Sequence, residues 1–209
     1  MASRQTRQRI LDASLALFNT QGEANVSTNH IADELDISPG NLYYHFRNKD
    51  DIIEQLFSRF DARMDEILVA PQGRLPGLED IWLQLHLVFE CIWDFRFLHR
   101  DLVEILSRNR RLRLRFARIL KRADNDIHQV MHGLSKAGVM RGSAAELDAA
   151  STNILVLATC WLNYAAARGD NDERVAIRAG IVQVMLLLAP FMRDAERLHL
   201  NTLTRAYLD

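Results

Sequence analysis

Nine consecutive residues, Ser38 to Phe46 (SPGNLYYHF), bring together an amide, two phenols and an imidazole within a short stretch. These groups donate and accept hydrogen bonds, but they form no recognisable nucleophile–base motif and no set of metal ligands. They suit recognition of nucleic acid, where amides pair with base edges and hydroxyl or imidazole groups reach phosphates. The alternative is an ordinary corner of an all-α domain, because many short helices of this kind never touch DNA.

The angular positions of these residues separate a packing face from a recognition face. At about 100° per residue, Leu42 and Phe46 share one face of a helix, so we expect them to pack inward. Gly40, Asn41 and Tyr44 then point outward. A small residue lets the backbone approach base edges, and an amide can pair with adenine.

Start and stop signals place this segment in a series of helices. A periodic helix ends near Gly22, and Ser27 and Ser38 are good N-cap residues for two short helices that follow. A longer helix is predicted from 48 to about 69. Two short helices joined by the turn LDIS (35–38) form a helix-turn-helix, whose second helix can lie in a DNA major groove.

Two stretches of the N-terminal quarter carry a family pattern: TRQRILDASLALFNTQG, from Thr6, and VSTNHIADELDISPGNLYYHFRNKDDIIEQLF, ending at Phe57. The second contains the pairs and motifs Ile31-Ala32, Leu42-Tyr43-x-His45-Phe46 and the following Lys49. This pattern resembles the DNA-binding domain of TetR/AcrR-type transcriptional regulators. That family usually has glycine in the turn where this chain has Asp36, and aspartate tolerates left-handed backbone better than most residues.

The resemblance implies roles for ten residues. The expected phosphate contacts are Ser27, Tyr43, His45 and Lys49. The candidates for base or backbone contacts are Thr28, Asn29, Pro39, Gly40, Asn41 and Tyr44. It also implies a homodimer that binds a palindromic operator and is released by a small-molecule effector, with repression more usual than activation. The alternatives are an activator of the same fold and a helical adaptor that binds protein.

The C-terminal part is also helical in pattern. After a Pro- and Gly-rich break at APQGRLPG (70–77), amphipathic segments follow at 78–97, 100–107, 109–137, 144–168, 172–192 and 194–207. Capping-box spacing marks two of their starts, Ser143 with Glu146 and Asp170 with Glu173. We therefore predict an all-α chain: a three-helix helix-turn-helix DNA-binding domain with its connecting helix at 1–69, and a larger effector-binding and dimerisation domain at 70–209.

Apolar and aromatic residues in this second domain suggest an interface and a pocket. Two helices are more apolar than one subunit should require, which favours a four-helix dimer bundle over a purely intrachain core. The candidate interface residues are Leu157, Trp161, Ile177, Ile181, Val184 and Leu188. The candidate effector-pocket residues are Trp82, His86, Phe89, Trp93, Trp161 and Tyr164, although aromatic residues at helical spacing are more often plain core.

Three further features favour structural interpretations. His128 and His132 are four residues apart, but we find no third ligand nearby and predict no metal and no cofactor. Cys91 and Cys160 lie in apolar contexts and are expected to be reduced core residues. The run RNRRLRLRFARILKR (108–122) is expected to form the solvated face of a long helix; the alternatives are binding of an anionic effector or an auxiliary DNA or membrane surface.

Composition limits the function classes. The 209 residues are 48% hydrophobic and 25% charged, with a formal net charge of −1, so DNA binding must depend on a local surface. No Gly-rich phosphate loop or catalytic motif is recognisable, and we predict that the chain is not an enzyme; the rival is an all-helical enzyme with scattered catalytic residues. The polar N-terminus lacks a secretory core, and the apolar run at 181–192 is too short to span a bilayer, so we expect a cytoplasmic protein without membrane contact.

Overall fold

The computed structural model of the protein describes residues 2–69, 73–74, 76–169, 172–205 and 207. Within these residues the chain forms eleven α-helices and one short 3-10 helix, and its only β feature is an isolated bridge between Met140 and Met192. The prediction of an all-α fold is confirmed. The helices are α1 (Ala2–Gln21), α2 (Thr28–Glu34), α3 (Pro39–His45), α4 (Lys49–Ile67), α5 (Leu78–Asp94), α6 (Arg96–Arg100), α7 (Leu102–Arg108), α8 (Arg110–Lys136), α9 (Ala144–Ala167), α10 (Glu173–Leu188) and α11 (Asp194–Arg205).

The chain divides into two compact units, and each unit is made of two separate stretches of the sequence. Unit 1 contains Met1–Arg63 and Asp94–Leu114, and unit 2 contains Met64–Trp93 and Arg115–Asp209. Helices α4 and α8 each contribute residues to both units. The domain boundary predicted at 69/70 stays a prediction, but the compact units add α6, α7 and the start of α8 to the N-terminal helices.

Unit 1 is organised around a phenylalanine-rich core. Phe18 of α1 and Phe97 of α6 are both fully buried, with ring centroids 5.2 Å apart. The Asn19 side chain donates to the Asp94 carbonyl at 2.8 Å and accepts from the Phe97 amide at 3.1 Å. Both polar ends of a buried amide are therefore satisfied, which holds the α5–α6 junction against the end of α1.

This junction explains where two predicted helices differ from the structure. The helix predicted at 78–97 ends at Asp94 and is followed by the unpredicted short helix α6, whereas the segment predicted at 100–107 corresponds to α7, which begins after Asp101. The Asp101 carboxylate accepts a hydrogen bond from the Glu23 amide at 2.9 Å. Helical periodicity does not reveal such a turn, because the contact that stabilises it comes from a residue far away in sequence.

Unit 2 has its own apolar core, to which α5, α8, α9 and α10 contribute. Helices α9 and α10 pack closely beside Gly180, where an added Cβ would lie 2.5 Å from Phe89 Cε1 and 2.7 Å from Trp161 Cδ1. The Trp161 indole donates to the Ala176 carbonyl at 2.5 Å. Gly180 therefore makes room for two aromatic rings within the same chain.

Most start and stop signals in unit 2 act as expected. Ser143 and Glu146 form the predicted capping box of α9. Asp170, predicted to cap α10 with Glu173, lies outside the described residues. The N-cap of α10 is Asp172, whose Oδ1 accepts from the Arg174 and Val175 amides at 2.9 and 3.2 Å.

The two cysteines differ in environment. Cys91 is fully buried, as predicted, but Cys160 is exposed on α9, and neither forms a disulfide bond within the part of the chain that the structure describes. The expectation that Cys160 lies in the core is wrong, because it falls on the face of α9 opposite Leu162 and Ala165, which are buried. An apolar sequence context alone does not fix which side of a helix is covered.

One segment, Arg174–Phe191, is long and apolar enough to cross a membrane by length and composition, with a mean hydropathy of 1.6. This segment is longer than the 181–192 run considered from the sequence. The core helix of a soluble protein passes the same test, and 44% of the segment is buried inside the chain. The finding is therefore weak evidence for a membrane span.

Candidate DNA-binding surface and ligand pocket

Local capping fixes the two short helices of the helix-turn-helix. The Ser27 hydroxyl accepts from the His30 amide at 3.2 Å, and the Ser38 hydroxyl accepts from the Asn41 amide at 3.2 Å. Asp36, in the turn between the helices, has φ of 53°, the left-handed conformation for which the glycine usual at this position is suited. The predicted caps are confirmed, and the substituted turn keeps its geometry.

Helix α3 has the two faces predicted from its angular positions. Leu42 and Phe46 are 0% and 2% exposed, whereas the Tyr44 side chain is 78% exposed. Gly40 and Asn41 are also exposed. The apolar face therefore anchors the helix, and the polar face is free to meet another molecule.

Among the described residues, nothing in the packing requires glycine at position 40. A Cβ built on it would meet only the Ser38 hydroxyl, at 4.0 Å, and its backbone is not in the left-handed region. Glycine is a poorer helix former than alanine, so local helix stability does not explain it either.

The remaining predicted contact residues lie at the start of α2, at both ends of α3 and at the start of α4. Tyr43 is half exposed, and its hydroxyl shares a 2.9 Å hydrogen bond with the Thr28 hydroxyl. Thr28 and Tyr43 also line a concavity of about 440 Å³, together with Ser27, Arg47 and Lys49. Asn29 and Pro39 are exposed near these termini, and His45 is partly buried with its ring 5.0 Å from that of Tyr44.

Arg47 is a residue that the sequence analysis did not single out. It is exposed and lines the same concavity as Ser27 and Tyr43, so it adds a cation where the resemblance assigns phosphate contacts. The signal was available, because Arg47 follows Phe46 directly in the family pattern.

Lys49 is held by groups of its own chain. Its ammonium donates to the carbonyls of Glu23 and Val26, at 3.0 Å each, and lies 2.8 Å from Glu23 Oε1. The lysine therefore joins α4 to the loop between α1 and α2. Its expected phosphate contact stays a prediction, and the structure gives it a second, internal role.

Arg108 completes this cluster from a distant part of the sequence. Its Nη2 lies 2.7 Å from the same Oε1 of Glu23, whose side chain is 0% exposed. Asp50 and Glu104 lie within 3.6 Å and 3.5 Å of the guanidinium. We name Glu23, Lys49 and Arg108 the Glu23 cluster.

The electrostatics of the Glu23 cluster favour the ionised carboxylate. Burial alone would raise the pKa of Glu23, but hydrogen bonds from Arg108 and Lys49, together with their charges, hold it below its ordinary value. Burial likewise opposes the charge of Arg108, and the Glu23 carboxylate outweighs it and raises the pKa of the guanidinium. The cluster is thus an ion network whose three members depend on one another.

The basic run at 108–122 is not one helix. Arg108 ends α7, and α8 begins at Arg110, with the Asn109 side chain capping the Leu112 amide at 3.1 Å. The apolar stripe of α8 is buried at Leu112, Phe116 and Ile119, as predicted. Arg108 is exposed, as expected for the outer face, but its guanidinium also binds the buried Glu23 carboxylate.

Unit 2 contains a pocket of about 440 Å³ on the side of α5 that faces α10. Three of the predicted pocket residues, Trp82, His86 and Trp93, line it from α5. The other lining residues are Glu90, Arg174, Ile177, Arg178, Ile181 and Tyr207. Arg174, Arg178 and Tyr207 were missed, because only the folded chain brings α10 and residue 207 beside α5.

The other three predicted pocket residues lie elsewhere. Phe89 is fully buried in the unit 2 core, Trp161 packs against α10 beside Gly180, and Tyr164 is 53% exposed. Phe89 lies on the same side of α5 as Trp82 and Trp93, but its ring is fully buried against Gly180 of α10 and does not line the pocket. Aromatic content and periodicity did not show how deeply each ring is buried.

The predicted interface residues are mostly buried within the single chain. Ile177, Ile181, Val184 and Leu188 are 8%, 2%, 0% and 2% exposed, and Leu157 and Trp161 are partly buried against the same core. These side chains offer little surface to a second chain. The exposed apolar residues of α9 and α10 are instead Val156, Tyr164, Val175 and Leu186.

The two histidines considered for metal binding form a polar cluster with a residue of α9. His128 Nε2 and His132 Nε2 lie 3.0 Å and 3.5 Å from Asp148 Oδ1. The described part of the chain holds no group of three or more such side chains arranged to bind a metal ion. Hydrogen bonding to the Asp124 carbonyl and nearby carboxylates raise the pKa of His128.

Two family models match the chain. Residues 10–56 match the model described as "Bacterial regulatory proteins, tetR family", and residues 59–200 match the TetR model described as "Bacterial transcriptional repressor". Among curated proteins, the regulator AcrR of Shigella flexneri is 32% identical over 75 residues, 36% of this chain and 35% of its own length. YvkB of Bacillus subtilis, an uncharacterized HTH-type transcriptional regulator, is 27% identical over 50% of this chain and 52% of its own length. The matched region thus spans between a third and about half of these relatives.

Solved structures extend the likeness over nearly the whole chain. A TetR-family transcriptional regulator from Marinobacter aquaeolei VT8 is 37% identical, with a TM-score of 0.88 over 97% of this chain and 98% of that one. A regulator from Saccharomonospora viridis in complex with choline shares the fold, with a TM-score of 0.65 and 20% identity over 97% of this chain and 96% of that one. The SmeT–triclosan complex does so with a TM-score of 0.61 and 20% identity, over 94% of each chain.

Proposed function

Because this chain belongs to the TetR family of bacterial regulatory proteins, which are DNA-binding transcriptional regulators and not enzymes, we propose that it is a repressor. It binds a palindromic operator as a homodimer in the cytoplasm and is released when a small molecule enters unit 2. The observation that carries the DNA-binding part is the face of α3, where exposed Gly40, Asn41 and Tyr44 lie opposite buried Leu42 and Phe46.

Helix α3 reads the operator through this face. Gly40 lets the α3 backbone approach the base edges, which gives its small size a purpose outside the chain. Asn41 offers an amide of the kind that pairs with adenine, and the Tyr44 ring extends farthest from the surface. Pro39 and Gly40, at the start of the helix, place its N-terminus toward the DNA.

Phosphate contacts flank this face and set its register. Ser27, Thr28, Asn29 and Tyr43 surround the start of α2, and Arg47 adds a positive charge at the concavity beside them. The bond between Thr28 and Tyr43 fixes the phenol in place before DNA arrives. Contacts of this type position a protein on the duplex without reading sequence.

Dimerisation uses the outer faces of α9 and α10. Val156, Tyr164, Val175 and Leu186 are between 48% and 60% exposed in the single chain, so a second copy can cover them. A two-fold dimer places its two α3 helices in successive major grooves, about 34–36 Å apart. The proposal therefore keeps the predicted helices and changes the residues at the interface.

Release is a shift of population between two conformations. A ligand in the unit 2 pocket stabilises the conformation that fits it better, and a conformation with a different spacing of the α3 helices loses the operator. Helices α4 and α8 carry residues of both units, so they are continuous connections through which such a change passes.

Fluorescence anisotropy on duplexes tiled across the DNA beside its own gene tests DNA recognition. The proposal expects one tile to bind tightly, with log K falling linearly and steeply as log salt concentration rises, because bound phosphates release counterions. Equal, weak binding to all tiles would contradict sequence-specific recognition. A reporter assay on the same tile separates the repressor from an activator, since deletion of the gene raises transcription only if the protein represses.

A further inference from the structure

The unit 2 pocket combines a wall of fixed rings with two guanidinium groups. The Trp82 and His86 rings are stacked, 5.8 Å between centroids and 11° from parallel. Tyr207 lies across them with its ring 6.0 Å from that of His86, and its hydroxyl shares a 2.9 Å hydrogen bond with His86 Nδ1. Rings held in this way form a preorganised surface for a flat apolar guest.

Arg174 and Arg178 are one helical turn apart on α10, and both are exposed. Arg174 lies over the Trp93 ring, 5.9 Å from its centroid. Within the described ranges, neither guanidinium forms an ion pair. Two like charges at this spacing repel each other, and a bound anion would relieve that repulsion.

The acid in the pocket does not cancel these charges. Glu90 lies 3.4 Å from His86 Nε2, on α5, and its side chain is 51% exposed. Among the lining residues that the structure describes, two permanent cations therefore face one carboxylate, and that carboxylate is directed to the imidazole. Guanidinium groups bind carboxylates in a planar, two-point geometry, which suits a carboxylate attached to a flat ring.

A cationic ligand fits this pocket poorly. Quaternary ammonium groups bind over the open faces of aromatic rings, but Arg174 already occupies one face of Trp93. A cation would have to displace that guanidinium and approach Arg178 as well. The regulator crystallised with choline shares the fold at 20% identity, which carries no ligand class over to this chain.

From this geometry we infer that the pocket binds an organic anion with a planar aromatic ring, the ring against Trp82 and His86 and the anionic group between Arg174 and Arg178. This inference rests on the proposed effector function, and it names the ligand class of that site. The pocket volume of about 440 Å³ lies within the usual range for small-molecule sites, about 300–1,000 Å³.

Isothermal titration of the full-length protein without DNA, with three probes of similar shape, tests the ligand class. The probes are 2-naphthoate, its neutral amide 2-naphthamide, and a naphthylmethyl trimethylammonium cation. We expect naphthoate to bind at one site per chain, at least about tenfold more tightly than the amide, which corresponds to about 1.4 kcal/mol for the charged contacts. Equal or tighter binding of the amide or the cation, or no binding of naphthoate, overturns the inference.

Variants locate the anionic group. Arg178→Gln is expected to weaken naphthoate binding about tenfold while leaving binding of the amide unchanged, and Arg174→Gln serves as a second variant if the first does not fold. Arg118→Gln, an exposed arginine on α8 outside the pocket, is the matched control and should bind like the wild type. Equal loss in the control, or no loss in either pocket variant, overturns the placement.

The test of the ligand class can fail without the proposed function failing, and the reverse is also true. Binding is measured without DNA, so a wrong ligand class leaves operator recognition untouched. Naphthoate binding at the pocket that leaves operator affinity unchanged would contradict effector release but would support the ligand class.

Discussion

Two glycines, Gly40 on α3 and Gly180 on α10, show how differently the DNA-binding face and the region behind the pocket are built. An added Cβ at Gly40 meets a single atom at 4.0 Å, whereas at Gly180 it would lie 2.5 Å from Phe89 Cε1 and 2.7 Å from Trp161 Cδ1. The space beside Gly40 is open to another molecule, whereas the space beside Gly180 is filled by side chains of the same chain. A substitution on the outward face of α3 can therefore change DNA binding without changing folding. Around α10, a substitution that changes ligand binding also changes folding.

The same contrast holds for side chains. Tyr44 is 78% exposed and can be removed without disturbing the core, while Ile177 and Ile181 line the pocket and are also part of the unit 2 core. Four substitutions test this difference, beginning with the largest expected effect.

Glu23→Ala removes the centre of the Glu23 cluster beneath the DNA-binding face. Breaking a buried ion network leaves Lys49 and Arg108 without their common partner, and we expect a loss of about 3 kcal/mol in the free energy of unfolding, measured with urea. Asp50→Ala is the matched control, because Asp50 is 57% exposed and lies farther from Arg108; it should cost less than about 1 kcal/mol.

The Glu23 cluster also sets an acid dependence. The folded-state pKa of Glu23 is below its ordinary value, so its contribution is present above the unfolded pKa and is lost as pH falls through the folded one. The wild type should therefore lose more stability than Glu23→Ala between neutral and acidic pH. If the free energy of unfolding changes with pH equally in the two proteins, the Glu23 carboxylate is not stabilised by its partners.

Gly180→Ala tests the packing behind the pocket. A methyl group placed against Phe89 and Trp161 should force these rings aside and lower the free energy of unfolding by about 2 kcal/mol in a urea titration. Operator affinity of the folded fraction should change little. An unchanged stability would mean that the two rings move freely, and the proposed difference between the two glycines would be lost.

Tyr44→Ala tests the outward face of α3 directly. We expect operator affinity to fall about tenfold, equivalent to about 1.4 kcal/mol, in an anisotropy titration with the preferred duplex. The midpoint of urea unfolding should stay the same, because the ring makes little contact with the core. Val103→Ala, which shortens an 82% exposed side chain of α7 outside both proposed interfaces, is the control and should change neither stability nor operator affinity.

Gly40→Ala should change stability in the opposite sense to Gly180→Ala. Alanine is the better helix former, but Gly40 is the second residue of α3, where glycine costs less than in a helix interior, so the free energy of unfolding should rise by less than about 1 kcal/mol. Operator affinity should fall, because the methyl group holds the backbone away from the bases. A stabilised variant with full operator affinity would remove Gly40 from the recognition face.

The DNA-binding face could be predicted from the sequence because its determinants are local. Ser27, Ser38, Leu42 and Phe46 act within one or two turns of their own helices, and the structure confirms the caps and the buried face. Even the left-handed Asp36 follows from its place in a short turn. The contacts themselves stay a prediction.

The pocket and the Glu23 cluster could not be predicted because they depend on tertiary packing. Glu23 meets Arg108 across 85 positions of sequence, and Trp93 meets Arg174 across 81 (108 − 23 and 174 − 93). Periodicity shows that α5 is helical, but it does not show which of its aromatic residues faces α10. Cys160 was misjudged for the same reason.

A hydroxyl-radical footprint of the wild-type protein on its preferred duplex tests the central claim, that a dimer reads DNA through two α3 helices, most directly. The account predicts a two-fold symmetric footprint with two protected half-sites about one helical turn apart, about 34–36 Å between centres, and weaker protection of both by Tyr44→Ala at a protein concentration that just saturates the wild type. A single asymmetric protected site, or equal protection by the variant at that concentration, would contradict it.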